Sequence, residues 1–186
     1  VVADPETKDA AIIDSVLDYD LVTGKTSYDS ATKVIDLVRT EGYRIQWILE
    51  THAHADHVTA AQHLKHQLGG RVAIGEQISE VQKVFANVFQ LGASFPTDGR
   101  QFDHLWKDGE TFQIGSIEAR VIATPGHTPA DVTYVIGDTA FVGDTIFMPD
   151  YGTARCDFPG GSADTLFDSI RRVYDLPDDT RVFMCH

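Results

Sequence analysis

The sequence predicts an α/β fold in which strands and helices alternate through the first half and strands dominate the second. Three observations carry this. Short apolar runs bounded by turn residues recur, beginning with Ala11–Leu17 and Ile45–Leu49. Segments with apolar residues at helical spacing lie between them. From Phe102 to Val142 the pattern changes to short strands separated by Asp108-Gly109, Ile114-Gly115 and Gly137-Asp138. Two sheets packed face to face with helices outside, a four-layer α/β/β/α sandwich, is one arrangement among several that fit. With 186 residues, 42% of them apolar, the chain suits a single domain over 1–186 with a sizeable core.

Taken in order, Ala11–Leu17 reads as a strand. Ser30 can cap a helix to about Glu41, with Val34, Ile35, Leu37 and Val38 on its buried face and Gly42 ending it. Ile45–Leu49 is a short apolar strand. A second helix is expected over Val58–Leu68, closed by Gly69-Gly70. Val72–Ile74 is strand-like and Ile78–Phe89 has helical spacing. Asp164–Tyr174 reads as the last helix and Arg181–Met184 as the last strand.

Charge narrows the function classes. A net charge of -13 repels nucleic acid and anionic membrane, so neither is expected as a partner. No apolar run reaches the ~18 residues of a membrane span. Two cysteines, Cys156 and Cys185, do not make a disulfide framework, which points to a reducing, cytoplasmic setting. The opening Val-Val-Ala-Asp-Pro is no signal peptide, and Val182–His186 stops on an apolar run; both ends are expected to be truncated within folded segments.

The chemistry concentrates in Thr51-His52-Ala53-His54-Ala55-Asp56-His57, between an apolar strand and a helix. Alternate residues of extended backbone point the same way, so His52 and His54 can face one ion, with Asp56 and His57 beside it. Imidazole with carboxylate suits zinc, iron or manganese. Two later segments add candidates. Thr124-Pro125-Gly126-His127-Thr128-Pro129 follows the strand Ile117–Ile122, its prolines and glycine fixing the histidine. Asp144 ends the run Phe141-Val142-Gly143, and His186 ends Val182–Met184. His63 and His66 read as surface residues, and His104 has no ligand company in the sequence.

The order THAHADH, PGHT, GDTIF and a strand-end Cys-His resembles the metallo-β-lactamase superfamily along essentially the whole chain. The resemblance implies the α/β/β/α sandwich. In two-metal members, the positions matching His52, His54, His127 and Asp144 hold one ion; those matching Asp56, His57, Asp144 and His186 hold a second. Within the superfamily, THAHADH, PGHTPAD, GDTIF and Ala154-Arg155-Cys156-Asp157-Phe158 are most similar to the persulfide (sulfur) dioxygenases of sulfide oxidation. That resemblance implies one Fe(II) per chain on His52, His127 and Asp144, with zinc as a substitute. It implies glutathione persulfide and O2 as substrates and sulfite and glutathione as products. His54, Asp56, His57 and His186 would then be hydrogen-bonding neighbours, with Asp56 among the catalytic candidates. Arg155 is another candidate, either supporting the site electrostatically or merely linked to Asp157. Cys156 is a spectator or an oxidation target, and Tyr151 a pocket-lining candidate. In the family the chain continues beyond the Cys-His pair and carries part of the glutathione contact there. A homodimer is compatible with this reading. Two other functions stand beside it: a dinuclear hydrolase of the glyoxalase II type, and a non-enzymatic metal-binding or sensor domain.

Overall fold

The computed structural model describes residues 1–186. In chain order it comprises β1 (Val2–Ala3), β2 (Asp9–Ile13), β3 (Val16–Asp20), β4 (Lys25–Ser27), α1 (Asp29–Glu41), β5 (Arg44–Leu49), β6 (Val58–Thr59), α2 (Ala61–Leu68), β7 (Arg71–Gly75), α3 (Ile78–Val88), β8 (His104–Trp106), β9 (Thr111–Ile114), β10 (Ile117–Ala123), β11 (Val132–Ile136), β12 (Thr139–Phe141), α4 (Ala163–Tyr174) and β13 (Arg181–Phe183). One five-stranded sheet has the order β1-β2-β5-β7-β8, a second β13-β12-β11-β10-β9, and a three-stranded sheet β4-β3-β6. No helix is long and apolar enough to cross a membrane.

The chain divides into two compact units. The first comprises Val1–Glu50, His54–Ala73 and Gln113–Ile117. Its centre is the parallel trio β2, β5 and β7, whose partners run Ile12↔Ile48 and Ile48↔Val72. Strands buried on both faces read as continuous apolar runs, which is why Arg44–Leu49 is legible without alternation. Helices α1 and α2 belong to this unit. Gly42 ends α1 in the left-handed conformation at φ 69°.

The second unit comprises Thr51–Ala53, Ile74–Phe112 and Glu118–His186. Its antiparallel pair β10–β11 and the parallel pair β12–β13 end in the loops that carry His127 and Asp144. Ala140, Val142 and Val173 form one apolar cluster under α4, and Ile74, Ile78, Val81 and Ala130 another. Helix α4 starts on the side chain of Ser162, which accepts from Thr165 N.

Several expectations are corrected. Ala11–Leu17 is two strands, β2 and β3, because Asp14 between them turns the backbone to φ 47°. Ser30 does not cap α1; the helix starts one residue earlier, and the Ser30 hydroxyl and amide both donate to Asp18. Leu37 is exposed, and Ala31 takes its place on the buried face with Ile35 and Val38. Helix α2 starts at Ala61 rather than Val58, because Val58 and Thr59 pair with Leu17 and Val16 in a short antiparallel ladder. A local helical pattern cannot show that a distant strand claims its first turn.

Candidate metal centre

Three of the residues singled out from the sequence meet within the second unit. His52 follows β5, His127 lies between β10 and β11, and Asp144 follows β12. Their ligand atoms lie within 4.8 Å of one another, and all three side chains are nearly buried. His52 Nε2 is 3.8 Å and His127 Nε2 3.7 Å from Asp144 Oδ2. These separations are too long for hydrogen bonds. Each is shorter than twice a ~2.1 Å metal–nitrogen or metal–oxygen bond, so one ion can touch both atoms of each pair. The two rings stand nearly perpendicular, with centroids 5.3 Å apart.

The backs of both rings are held. His127 Nδ1 donates to the Arg155 carbonyl at 2.8 Å. A carbonyl only accepts, so the proton of the neutral ring sits on Nδ1 and the lone pair on Nε2, facing Asp144. Thr51 Oγ1 lies 3.0 Å from His52 Nδ1. Two imidazoles oriented from behind and aimed at one carboxylate make a donor set suited to iron or zinc, so the residues present fit the implied metal.

The loops that deliver these groups are tightly fixed. Asp131, buried, accepts from both the amide and the hydroxyl of Thr128, and its own carbonyl accepts from Thr124 N at 2.9 Å. Burial pushes the Asp131 carboxyl up to about 7, against the Thr128 hydrogen bonds and the nearby His127, which pull it down. Gly126 adopts φ 147°, and a Cβ there would lie 2.4 Å from Leu166 Cβ. Gly143 adopts φ 53° against Thr51, where a Cβ would come 2.5 Å from its Oγ1.

The rest of the opening motif belongs to the first unit. His54 Nε2 lies 3.0 Å from Asp14 Oδ1 and 3.5 Å from Glu50 Oε2. Burial alone would lower the His54 pKa; the hydrogen bonds and charges of Asp14 and Glu50 outweigh it and raise it to about 10. Burial likewise pushes the Glu50 carboxyl up. Asp56, half exposed, lies 3.2 Å from His57 Nδ1, and the neighbouring imidazoles and a backbone hydrogen bond hold it below the usual carboxylate range despite partial burial. Burial and the His54 charge lower the pKa of His57. His54, Asp56 and His57 form a second group with ligand atoms within 4.8 Å, and Asp14, Glu50 and His54 a third.

Other candidates fall elsewhere. His186 is exposed, its ring edge-on to Phe147 at 5.2 Å, and it belongs to none of the three groups. The Arg155 guanidinium is bidentate to Asp157 at 2.6 Å, over the Phe158 ring and largely exposed. The Arg155–Asp157 link is therefore formed, and Arg155 meets His127 through its carbonyl. Tyr151 is 74% exposed, which argues against its lining a pocket. Cys156 is half-buried; burial first, then Asp131 and Asp157, push its thiol up, away from the reactive thiolate. His63 stacks on Tyr28, and His104 lies 2.8 Å from Glu110. Sequence reasoning passed over Asp14 and Glu50, and it quoted Thr51 and Asp131 within motifs without giving them a role. Asp14 carries the signal that marked Asp144, a carboxylate closing an apolar run; Glu50 directly precedes the motif, Thr51 opens it, and Asp131 closes PGHTPAD.

Comparison with known proteins gives the family. The family model described as the metallo-beta-lactamase superfamily matches residues 1–186, both units together. A probable metallo-hydrolase of Burkholderia pseudomallei is 51% identical over 193 residues, covering 98% of this chain and 66% of that protein. "Glyoxylase B2" of Dictyostelium discoideum is 50% identical, covering 100% and 64%. The mitochondrial persulfide dioxygenase ETHE1 of Bos taurus is 30% identical, covering 100% and 62%. The crystal structure of ETHE1 from Myxococcus xanthus superposes with a TM-score of 0.77 at 28% identity, covering 100% of this chain and 68% of that one. The chain thus spans about two thirds of the length of these curated relatives.

Proposed function

The chain belongs to the metallo-beta-lactamase superfamily of metal-dependent enzymes and has its fold, and from that premise we propose that it is a persulfide dioxygenase. Its substrates are glutathione persulfide and O2; with one water they balance to glutathione and sulfite. The observation that supports this reading is the donor set: two imidazole Nε2 atoms and one carboxylate, from His52, His127 and Asp144, with ligand atoms within 4.8 Å of one another. These three residues would hold Fe(II). Iron held there supplies the redox chemistry that dioxygen needs.

The chain's own residues prepare that chemistry. Asp144 lowers the charge of a divalent ion by one, leaving a site that still attracts a persulfide anion. The Arg155 carbonyl fixes the ring and tautomer of His127, and Thr51 steadies His52. Burial of all three ligands keeps bulk water from their donor atoms.

A hydrolase of the glyoxalase II type is the second reading. It is favoured by the higher identity to the metallo-hydrolase and glyoxylase relatives and by the additional group His54, Asp56 and His57. An oxygen electrode separates the two. Iron-loaded protein given glutathione persulfide should consume O2 and release sulfite, with iron lost on Asp144→Ala. Hydrolysis of a glutathione thioester without O2 uptake would refute the dioxygenase reading.

A further inference from the structure

Helix α3 is longer than the core it covers. Its apolar stripe runs Ile78, Val81, Phe85 and Val88, spaced as one helix face requires. Ile78 and Val81 are 3% and 5% exposed and pack with Ile74 and Ala130; Phe85, partly buried, packs against the same cluster. One turn further Val88 is 55% exposed, and Phe89, stacked on Phe85 with ring centroids 5.7 Å apart, is 64% exposed. Leu91, just past the helix end, is exposed as well. The stripe thus leaves the core after Phe85 and continues uncovered.

Two features distinguish this overhang from a frayed helix end. The first is that it is held. The backbone doubles back at Gln90, whose φ of 51° lies in the left-handed region; Gln90 N donates to Asn87 O at 3.2 Å and Leu91 N to Ala86 O at 3.0 Å. Gln82 of the same helix accepts from Gly99 N and donates to Gln101 Oε1, both at 2.9 Å, which ties the following loop to α3. The second is where the stripe points. Ala53, next in the chain to His52, packs against the same cluster, and Ala130 of that cluster lies three residues beyond His127. The face that emerges at Val88 is therefore the face turned towards both metal loops, and all of these residues lie in the second unit. No residue between Lys83 and Asp98 carries a charge, although the chain has a net charge of -13, so the overhang suits a neutral apolar group.

We propose that Phe85, Val88, Phe89 and Leu91 form a subsite for the apolar arm of a thiol-derived substrate whose sulfur binds at the His52–His127–Asp144 centre. The substrate class then widens from glutathione alone to persulfides or thioesters of thiols that bear an alkyl or aryl group. The inference rests on the proposed function only in that a sulfur compound binds that centre, not on which reaction follows. An arm laid on two stacked rings and a valine sheds water on both sides, so the subsite acts on affinity and leaves the reacting sulfur to the metal.

The test is calorimetric titration of the zinc-loaded chain with hexane-1-thiol and with 2-mercaptoethanol. Zinc binds thiolates without oxidising them, so the titration is independent of O2 uptake and of hydrolysis. Hexane-1-thiol should bind about tenfold more tightly, the gain expected from partial burial of its longer chain. Val88→Ser/Phe89→Ser should bring the two thiols within about twofold of each other, with the affinity for 2-mercaptoethanol unchanged. Both side chains are exposed, so the fold should persist, which circular dichroism checks; Phe89→Ser alone serves if the pair unfolds. Phe167→Ser, which removes a similarly exposed ring on α4, should keep the difference, and Asp144→Ala should lose both thiols. The proposal is overturned if the two thiols bind equally, if Val88→Ser/Phe89→Ser keeps the difference, if Phe167→Ser removes it, or if Asp144→Ala still binds hexane-1-thiol. It is overturned too if sedimentation shows a dimer that Val88→Ser/Phe89→Ser splits, which would give the overhang to a second copy. A chain that passes this titration yet takes up no O2 with any persulfide would refute the dioxygenase reading alone.

Discussion

Replacing Gly126 by alanine should unsettle the metal centre through a single methyl group. The residue precedes His127, and its φ of 147° is one that side chains rarely adopt. An added Cβ would stand 2.4 Å from Leu166 Cβ, 2.5 Å from its Cα and 2.6 Å from its amide nitrogen. That is about 1 Å short of ordinary contact, and the atoms met are helix backbone and Cβ, so no rotamer change relieves it. The loop is also tied to α4 from both sides: Ser162 N donates to Gly126 O at 2.8 Å and Ser169 Oγ to Pro125 O at 2.6 Å. Backbone strain costs about 1–3 kcal/mol and overpacking about 1–3 more. Even the low end, about 2 kcal/mol, lowers the melting temperature by about 4–8 °C in a chain of this size. Gly42→Ala is the control. Gly42 also has a positive φ, 69°, but a Cβ there meets nothing within 4 Å, so only strain is added. Because the loop must shift, Gly126→Ala should also weaken metal binding by about tenfold or more, as loss of ligand orientation does. Leu166→Ala should not rescue it, since the Cβ and backbone remain. Thermal melts and metal titration of both glycine variants decide the matter. Equal melting temperatures with unchanged metal binding would refute the clash.

Three further outcomes follow from the same geometry. His54 has a folded-state pKa of about 10 against an ordinary 6.5, so the folded state holds its proton more tightly. In metal-free protein that stabilisation is complete below about pH 6.5 and is lost as pH rises through about 10; urea melts across this window should show it, and His54→Ala should lack it. Arg155→Ala should leave iron content unchanged, because the carbonyl and not the guanidinium holds His127 and the Arg155–Asp157 pair is solvent-screened; elemental analysis checks this. Asp144→Asn should remove the anionic donor and lower iron content well below that of the parent chain, with circular dichroism confirming that the fold persists.

Residue type and local order determined much of this protein. The run Arg44–Leu49 and helices α1, α3 and α4 are visible because apolar spacing is a local property. The donors His52, His127 and Asp144 are visible because each stands where an apolar run ends. What the sequence could not carry was partnership. Ser30 and Val58 have local patterns that suit a helix start, yet Asp18 claims one and β3 the other. THAHADH reads as one four-residue cluster, but the fold separates it: His52 turns to His127 and Asp144, while His54 turns to Asp14 and Glu50. Asp14 and Glu50 are 36 residues apart in the chain and meet only because β2 and β5 are parallel neighbours ending side by side. Likewise, that a backbone carbonyl at residue 155 sets the tautomer of His127 depends on main-chain geometry, to which the identity of the side chain is silent. The sequence therefore determined which donors exist; the tertiary structure decided which of them stand within reach of one another, because that is set by distances that only strand pairing and loop closure create.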